Sequence, residues 1–123
     1  MSTRSRIGIL NEDGSVDSIY CHHDGYLSYN GNLLLHYYNT EDKIRELLRL
    51  CDISGLEKTI EKTKAEAYNE NGENTKVRHS ANEAEFYKIG EEYNYLFKNG
   101  KWTVDDYENG IVEVTDKLIS QRD

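Results

Sequence analysis

The stretch that decides the fold is Arg4-Ser-Arg-Ile-Gly-Ile-Leu10, together with the segment Asn11-Glu-Asp-Gly-Ser-Val-Asp-Ser-Ile-Tyr-Cys21 that follows it. In both halves apolar residues alternate with small or polar ones, a period-two pattern that is typical of β-strands. The pair Asp13-Gly14 between the halves is a strong turn signal. The sequence therefore predicts a β-hairpin here.

The apolar side chains of both strands should share one face of the hairpin. This requirement fixes the register, because a one-residue shift would move every side chain of one strand to the other face. A three-residue loop, Glu12-Asp13-Gly14, meets this condition and ends with the glycine that such loops need for a positive φ. One face then carries Ile7, Ile9, Ile19 and Cys21. On the other face, the same register pairs Arg6 with Tyr20 and Arg4 with His22.

Several segments further along predict helices. After Asn39 or Thr40 as a cap, apolar residues recur at helical spacing. These residues are Ile44, Leu47, Leu48 and Cys51. Further helices are predicted over Ala81 to Ile89 with Ser80 as cap and over Thr115 to Gln121 with Thr115 as cap, and the apolar stretch from Leu33 to Tyr38 predicts a short helix or a turn.

A second hairpin is predicted around Asn99-Gly100, because alternating aromatic and apolar residues flank this turn signal. The alternating residues are Tyr93, Tyr95, Phe97, Trp102 and Val104. Between the two hairpins the pattern is weaker. Ile60 to Tyr68 fits a helix or a strand, and Glu70 to Glu73 fits a turn.

These elements predict one compact α+β domain over residues 1–123, with an antiparallel sheet built from hairpins and helices packed on one face. Neither proline nor a repeat marks a domain boundary. The two cysteines, Cys21 and Cys51, are predicted to be reduced thiols that pack as small core residues.

Charge restricts the classes of partner. The chain has 15 basic and 23 acidic residues, a net charge of −8, which disfavours direct binding to nucleic acid or to anionic membranes. The sequence lacks an apolar run long enough to cross a membrane and the profile of a signal peptide, so we expect a bacterial cytoplasmic location.

The polar face of the first hairpin is the predicted ligand site. Arginine can grip a phosphate or carboxylate with two parallel hydrogen bonds, and tyrosine can stack on a base, so this face suits a small, anionic, nucleotide-like ligand. The predicted site residues are Arg4, Arg6, Tyr20, His22, Asp24 and Tyr26. The sequence assigns no catalytic residue, no cofactor and no metal ligand.

The run Cys21-His22-His23-Asp24 is the alternative site, because all four side chains are of types that bind zinc. Consecutive residues of a strand point to opposite faces, so such a site would need a bend in the chain and help from His36 or His79. This alternative corresponds to a small metal-dependent hydrolase.

Ser2-Thr-Arg4, Ile7-Gly-Ile9, Tyr20-Cys-His22 and Asp24-Gly-Tyr26, together with the segment from Glu92 to Trp102, resemble a family of small proteins of bacteriophages and prophages. The resemblance implies a non-catalytic protein that counters host defence. Its most concrete form is a homo-oligomer that sequesters a small nucleotide-derived signalling molecule. The other form is an acidic inhibitor that binds a host nuclease or another nucleic-acid-binding defence protein.

Overall fold

Six strands form one sheet in the computed structural model, which describes residues 3–64, 77–88, 90–106 and 110–122. Within these residues the spatial order of the strands is β3-β2-β1-β4-β5-β6. Their bounds are β1 Ser5–Leu10, β2 Val16–Cys21, β3 Arg78–Ser80, β4 Tyr93–Lys98, β5 Lys101–Asp106 and β6 Gly110–Glu113. Four neighbouring pairs are antiparallel, while β1 and β4 are parallel. The predicted α+β class is confirmed.

The first hairpin has the predicted register. Ile7 pairs with Ile19, and Arg6 pairs with Tyr20. The last pair at the open end of the hairpin is Ser5 with Cys21, so Arg4 and His22 lie just outside the paired strands. A hydrogen bond of 2.8 Å from the amide of residue 11 to the carbonyl of residue 15 closes the three-residue loop, and Gly14 has a φ of 90°.

Five short α-helices and one π-helical turn, Leu27–Gly31, accompany the sheet within the described residues. The helices are α1 Asn32–Tyr37, α2 Glu41–Leu48, α3 Ile60–Lys64, α4 Glu83–Lys88 and α5 Asp116–Arg122. The caps of α2 and α5 are as predicted. The Thr40 side chain accepts a hydrogen bond from the Lys43 amide at 3.3 Å, and the Thr115 side chain accepts one from the Leu118 amide at 3.1 Å.

Two details of the predicted helices are wrong. Ser80 does not cap α4, because it pairs with Val16 in the sheet, and the Asn82 side chain accepts the hydrogen bond of the Glu85 amide at 2.9 Å instead. Cys51 does not continue the stripe of α2, because the helix ends at Leu48 and Cys51 has a φ of 65°.

The weak region between the hairpins begins with a helix. Of the predicted segment Ile60 to Tyr68, residues 60–64 form α3, and the remainder lies outside the described residues. The predicted turn Glu70 to Glu73 also lies outside them.

The main core lies on the face of the sheet that carries the isoleucines of the first hairpin, which we call the core face. Helices α1 and α2 pack there and bury Leu34, Ile44 and Leu47 completely. The polar ends of two large aromatic side chains in this core are paired: the Tyr95 hydroxyl donates to the Gly25 carbonyl at 2.7 Å, and the Trp102 indole donates to a backbone carbonyl at 2.8 Å. This pairing avoids the cost of burying unsatisfied polar groups.

The opposite face, which we call the outer face, carries a second and smaller apolar cluster of Val16, Phe86 and Leu96. Helix α4, which supplies Phe86, lies in the connection from β3 to β4. These two strands run parallel, and β2 and β1 lie between them in the sheet. Parallel strands need a crossover that passes over one face of the sheet. This crossover places α4 on the outer face, whereas the other helices that enclose the main core lie on the core face.

Candidate functional site

Arg6 and Tyr20, two of the predicted site residues, lie side by side on the outer face. The Arg6 side chain is almost fully buried, with 4% of the residue exposed. Its guanidinium donates to the Ser18 hydroxyl at 3.2 Å and to the Ser18 carbonyl at 3.4 Å. The sheet therefore holds the arginine in one orientation, and part of its hydrogen-bonding capacity is used within the fold.

Arg78, which sequence reasoning missed, brings a second positive charge to this face. It lies opposite Ser18 in β3, and so on the same side of the sheet as Arg6. Burial, together with the charge of Arg78, lowers the pKa of Arg6 to about 10, while Asp52 and Glu91 act in the opposite direction. Arg6 consequently remains charged at neutral pH. Only a fold that brings β3 beside β2 could reveal this pair.

Tyr20 and His22 form an aromatic pair next to the arginines. The Tyr20 hydroxyl and His22 Nδ1 lie 2.6 Å apart, and their ring centroids are separated by 5.9 Å. The His22 ring in turn lies edge-on to His23 at 4.6 Å. The Tyr20 backbone amide donates to the Asp52 carboxylate at 2.9 Å, which ties this strand end to the loop after α2. Tyr20 and His22 are half-buried and His23 is exposed, so this aromatic group reaches the surface.

The other three predicted residues lie at the end of the hairpin. Arg4 is exposed, and its backbone amide donates to the Glu92 carboxylate at 3.4 Å. Asp24 is exposed at a φ of 59°, a conformation that aspartate tolerates better than most residues. Tyr26 is half-buried, with its ring centroid 6.3 Å from that of Tyr29. The structure thus makes Arg6, Tyr20 and His22 neighbours and places the other three in flanking segments.

The side chains of the run from Cys21 to Asp24 do not converge. Cys21 is fully buried on the core face, where its thiol donates to the His23 carbonyl at 3.4 Å and burial raises its pKa. His22 belongs to the outer face. Among the residues that the structure describes, no group of three His, Cys, Asp or Glu side chains has an arrangement suited to a metal ion. The geometry does not support the zinc site considered above.

Asn30 is a buried polar residue that sequence reasoning did not single out. Its amide nitrogen donates to the Ser5 hydroxyl at 3.1 Å and to the Cys21 sulfur at 3.4 Å. Its side-chain oxygen is buried without a partner within the described parts of the chain. These hydrogen bonds attach the π-helical turn to the first hairpin. A single asparagine after a strand gives no sequence signal for this role.

A cleft of about 200 Å³ lies between α2 and the β2–β3 edge of the sheet. The described residues that line it are Asp17, Arg45, Leu48, Arg49 and Val77. In the sequence the two arginines fall outside the apolar stripe of α2, where charged residues are usually solvated. Their convergence with Asp17 depends on how α2 packs against the sheet, and no local pattern reports that packing.

Comparisons of this chain with models of protein families, with curated proteins and with solved structures find no match. The resemblance to small phage proteins therefore stays a prediction. Within the described residues, no helix is both long and apolar enough to cross a membrane.

Proposed function

We propose that the protein is a non-catalytic binding protein that holds a small, anionic, nucleotide-like ligand against the outer face of the sheet. The observation that carries this proposal is the placement of Arg6 and Arg78 on one face, next to the aromatic pair of Tyr20 and His22. A phosphate group and a flat ring are the two parts of a nucleotide that these side chains recognise.

The charges of Arg6 and Arg78 together favour an anionic ligand on the outer face. Arg6 is fixed by Ser18 and nearly buried, so its charge acts in a medium of lower dielectric than water. The charge of Arg78 disfavours the charged form of Arg6, and an anion placed between the two would relieve that repulsion. Asp52 and Glu91 offset part of the positive charge, which favours a ligand of low charge over a polyanion.

The biological role that we propose follows the resemblance to phage proteins. A nucleotide-binding protein without chemistry of its own can act by sequestration, which lowers the free concentration of a host signalling molecule. The ring systems of such messengers suit the half-buried pair of Tyr20 and His22, whose edges are already fixed by a hydrogen bond.

Native mass spectrometry of the purified protein, with and without cyclic nucleotides and ADP-ribose derivatives, tests this function. It reports any retained ligand and the number of subunits together. We expect one of these compounds to bind, and Arg78→Gln to weaken that binding about tenfold or more. Arg49→Gln removes the same charge from a surface away from the outer face and should leave the affinity unchanged.

If none of the cyclic nucleotides and ADP-ribose derivatives bound to the protein, the proposal of nucleotide binding would be overturned. If it instead captured a basic host protein, with affinity that falls steeply as salt rises, the acidic-inhibitor function would replace the proposal. A ligand that binds equally well to Arg78→Gln would place the site elsewhere on the molecule.

A further inference from the structure

The cleft between α2 and the β2–β3 edge is distinct from the outer face, because its sheet residue Asp17 points to the same side as Ile19 of the core face. Leu48 and Val77 contribute apolar surface, whereas Arg45 and Arg49 contribute guanidinium groups. A concave site that combines an apolar lining with a few convergent polar groups is the usual form of a small-molecule site.

Arg45 is a fixed element of this cleft. Its Nε donates to Glu41 at 3.0 Å, one terminal nitrogen donates to Asn11 at 2.9 Å, and the other lies 3.9 Å from Asp17. Three anchors from the helix, the hairpin loop and strand β2 hold the guanidinium in place. A group that is already ordered loses little conformational entropy when a ligand binds.

Arg49 supplies the charge that is not used by the fold. It lies one turn after Arg45, so the two side chains project from the same side of the helix. Its side chain is exposed and forms neither a hydrogen bond nor an ion pair with the residues that the structure describes. Helical side chains lean toward the N-terminus, which directs Arg49 back over the cleft.

Asp17 limits the negative charge that the cleft can accept. One carboxylate oxygen lies 2.7 Å from His79 Nδ1, and the other accepts a hydrogen bond from Asn11 at 3.2 Å. Glu41 balances Arg45, and His79, when protonated, balances Asp17. In that state the charge left over among the described residues is the single positive charge of Arg49, which matches a monoanion better than a phosphate dianion.

We propose that this cleft binds a small organic carboxylate, with its head on Arg49 and Arg45 and its apolar body against Leu48 and Val77. The volume supports the class of ligand: about 200 Å³ is less than the roughly 300–1,000 Å³ of pockets that enclose drug-sized molecules. The cleft lies on the core-face side of β2, so the site is independent of the one proposed on the outer face.

Titration of the ¹⁵N-labelled full-length protein with benzoate, followed by NMR, tests the proposal. We expect saturable shifts that concentrate at residues 45–49, at residue 17 and at residues 77–79. Benzamide, which has the same shape without the charge, should bind at least about tenfold more weakly. Arg49→Gln should also weaken benzoate binding about tenfold, without loss of the folded spectrum, because the side chain is exposed.

Lys43→Gln is the matched control, since it removes one positive charge from an exposed position of the same helix outside the cleft. It should leave benzoate binding unchanged. Shifts that spread over the surface without saturating, equal binding of benzamide, or equal loss in both variants would each overturn the site. Arg78→Gln should retain benzoate binding, which separates this proposal from that for the outer face.

Discussion

The two faces of the sheet are built from the same strands but differ in what covers them. The core face carries one continuous cluster, closed by helices from the long connection between β2 and β3. The outer face carries a three-residue apolar cluster under α4 at one end, and buried Arg6 with Asn94 at the other. The difference shows that strand parity determines which residues share a face, whereas the connections between strands determine what each face meets.

Arg6 illustrates the consequence. The alternation of β1 places it on the face opposite the isoleucines, where a solvated arginine is the natural expectation. The chain from Gly90 to Glu92, however, turns over β4 beside it, and the Asn94 side chain holds that turn by accepting from the Glu91 amide at 2.8 Å. Arg6 is therefore a buried charge on the less apolar face.

The largest effect on stability is expected from the core face. Ile7→Ala removes a fully buried side chain and leaves a cavity, which should lower the free energy of unfolding by about 3 kcal/mol. Ile111→Ala is the control: this residue lies on the outer face of β6 and is 55% exposed, so the change should stay within about 0.5 kcal/mol. Chemical denaturation measures both. Equal losses would mean that the two faces do not differ as described.

How much of this comparison the sequence predicts depends on the range of the interactions. The hairpin register and the caps Thr40 and Thr115 depend on residues that are close in sequence, and both were predictable. The parallel pairing of β1 with β4 joins segments almost 90 residues apart. Nothing in the alternation of either strand specifies its partner, so the crossover and the position of α4 could not be predicted.

The candidate site divides in the same way. Arg6, Tyr20 and His22 follow from hairpin parity, so the sequence predicts that they share a face. Arg78 reaches the same face only through the pairing of β3 with β2, and Arg45 reaches Asp17 only through the packing of α2. Residues that converge by tertiary packing leave no periodic signal in the sequence.

A smaller loss is expected when the buried charge of the outer face is removed. Arg6→Met keeps most of the aliphatic stem but leaves Ser18 without its donor and Asp52 and Glu91 less compensated. We expect the free energy of unfolding to fall by about 2 kcal/mol. The same substitution at exposed Arg49 should have almost no effect on stability. If both variants unfolded alike, Arg6 would have no structural role.

Gly8→Ala should have a smaller effect and probes the contact between the outer face and α4. A Cβ at this position would lie 3.0 Å from Phe86 Cε1 and 3.1 Å from a Val16 methyl, which is overpacked. The loss of unfolded-state entropy offsets part of the strain, so we expect a net destabilisation of about 1 kcal/mol. Gly55→Ala is the control, because its Cβ would meet no atom within 4 Å. Thermal unfolding should show no destabilisation for the control, and a stable Gly8→Ala would contradict the close packing of α4.

The smallest effect is expected at the edge where β3 meets the cleft. The hydrogen bond that His79 donates to the Asp17 carboxylate raises the pKa of His79 above the ordinary value of an imidazole, about 6.5. A raised pKa in the folded state means that protonated His79 stabilises the fold below about pH 6.5, and that this contribution is lost as pH rises through the folded pKa. His79 is solvent-exposed, so the change in stability should be slight.

An NMR titration of the imidazole measures this pKa directly. Asp17→Asn should return it towards the ordinary value, because the carboxylate partner at 2.7 Å is removed. Asp42→Asn removes an exposed acid of α2 that does not contact His79, and should leave the titration almost unchanged. If Asp42→Asn lowered the pKa as much as Asp17→Asn, the shift would arise from the overall negative charge. The edge of the sheet would then lack the specific interaction of His79 with Asp17 that distinguishes it from both faces.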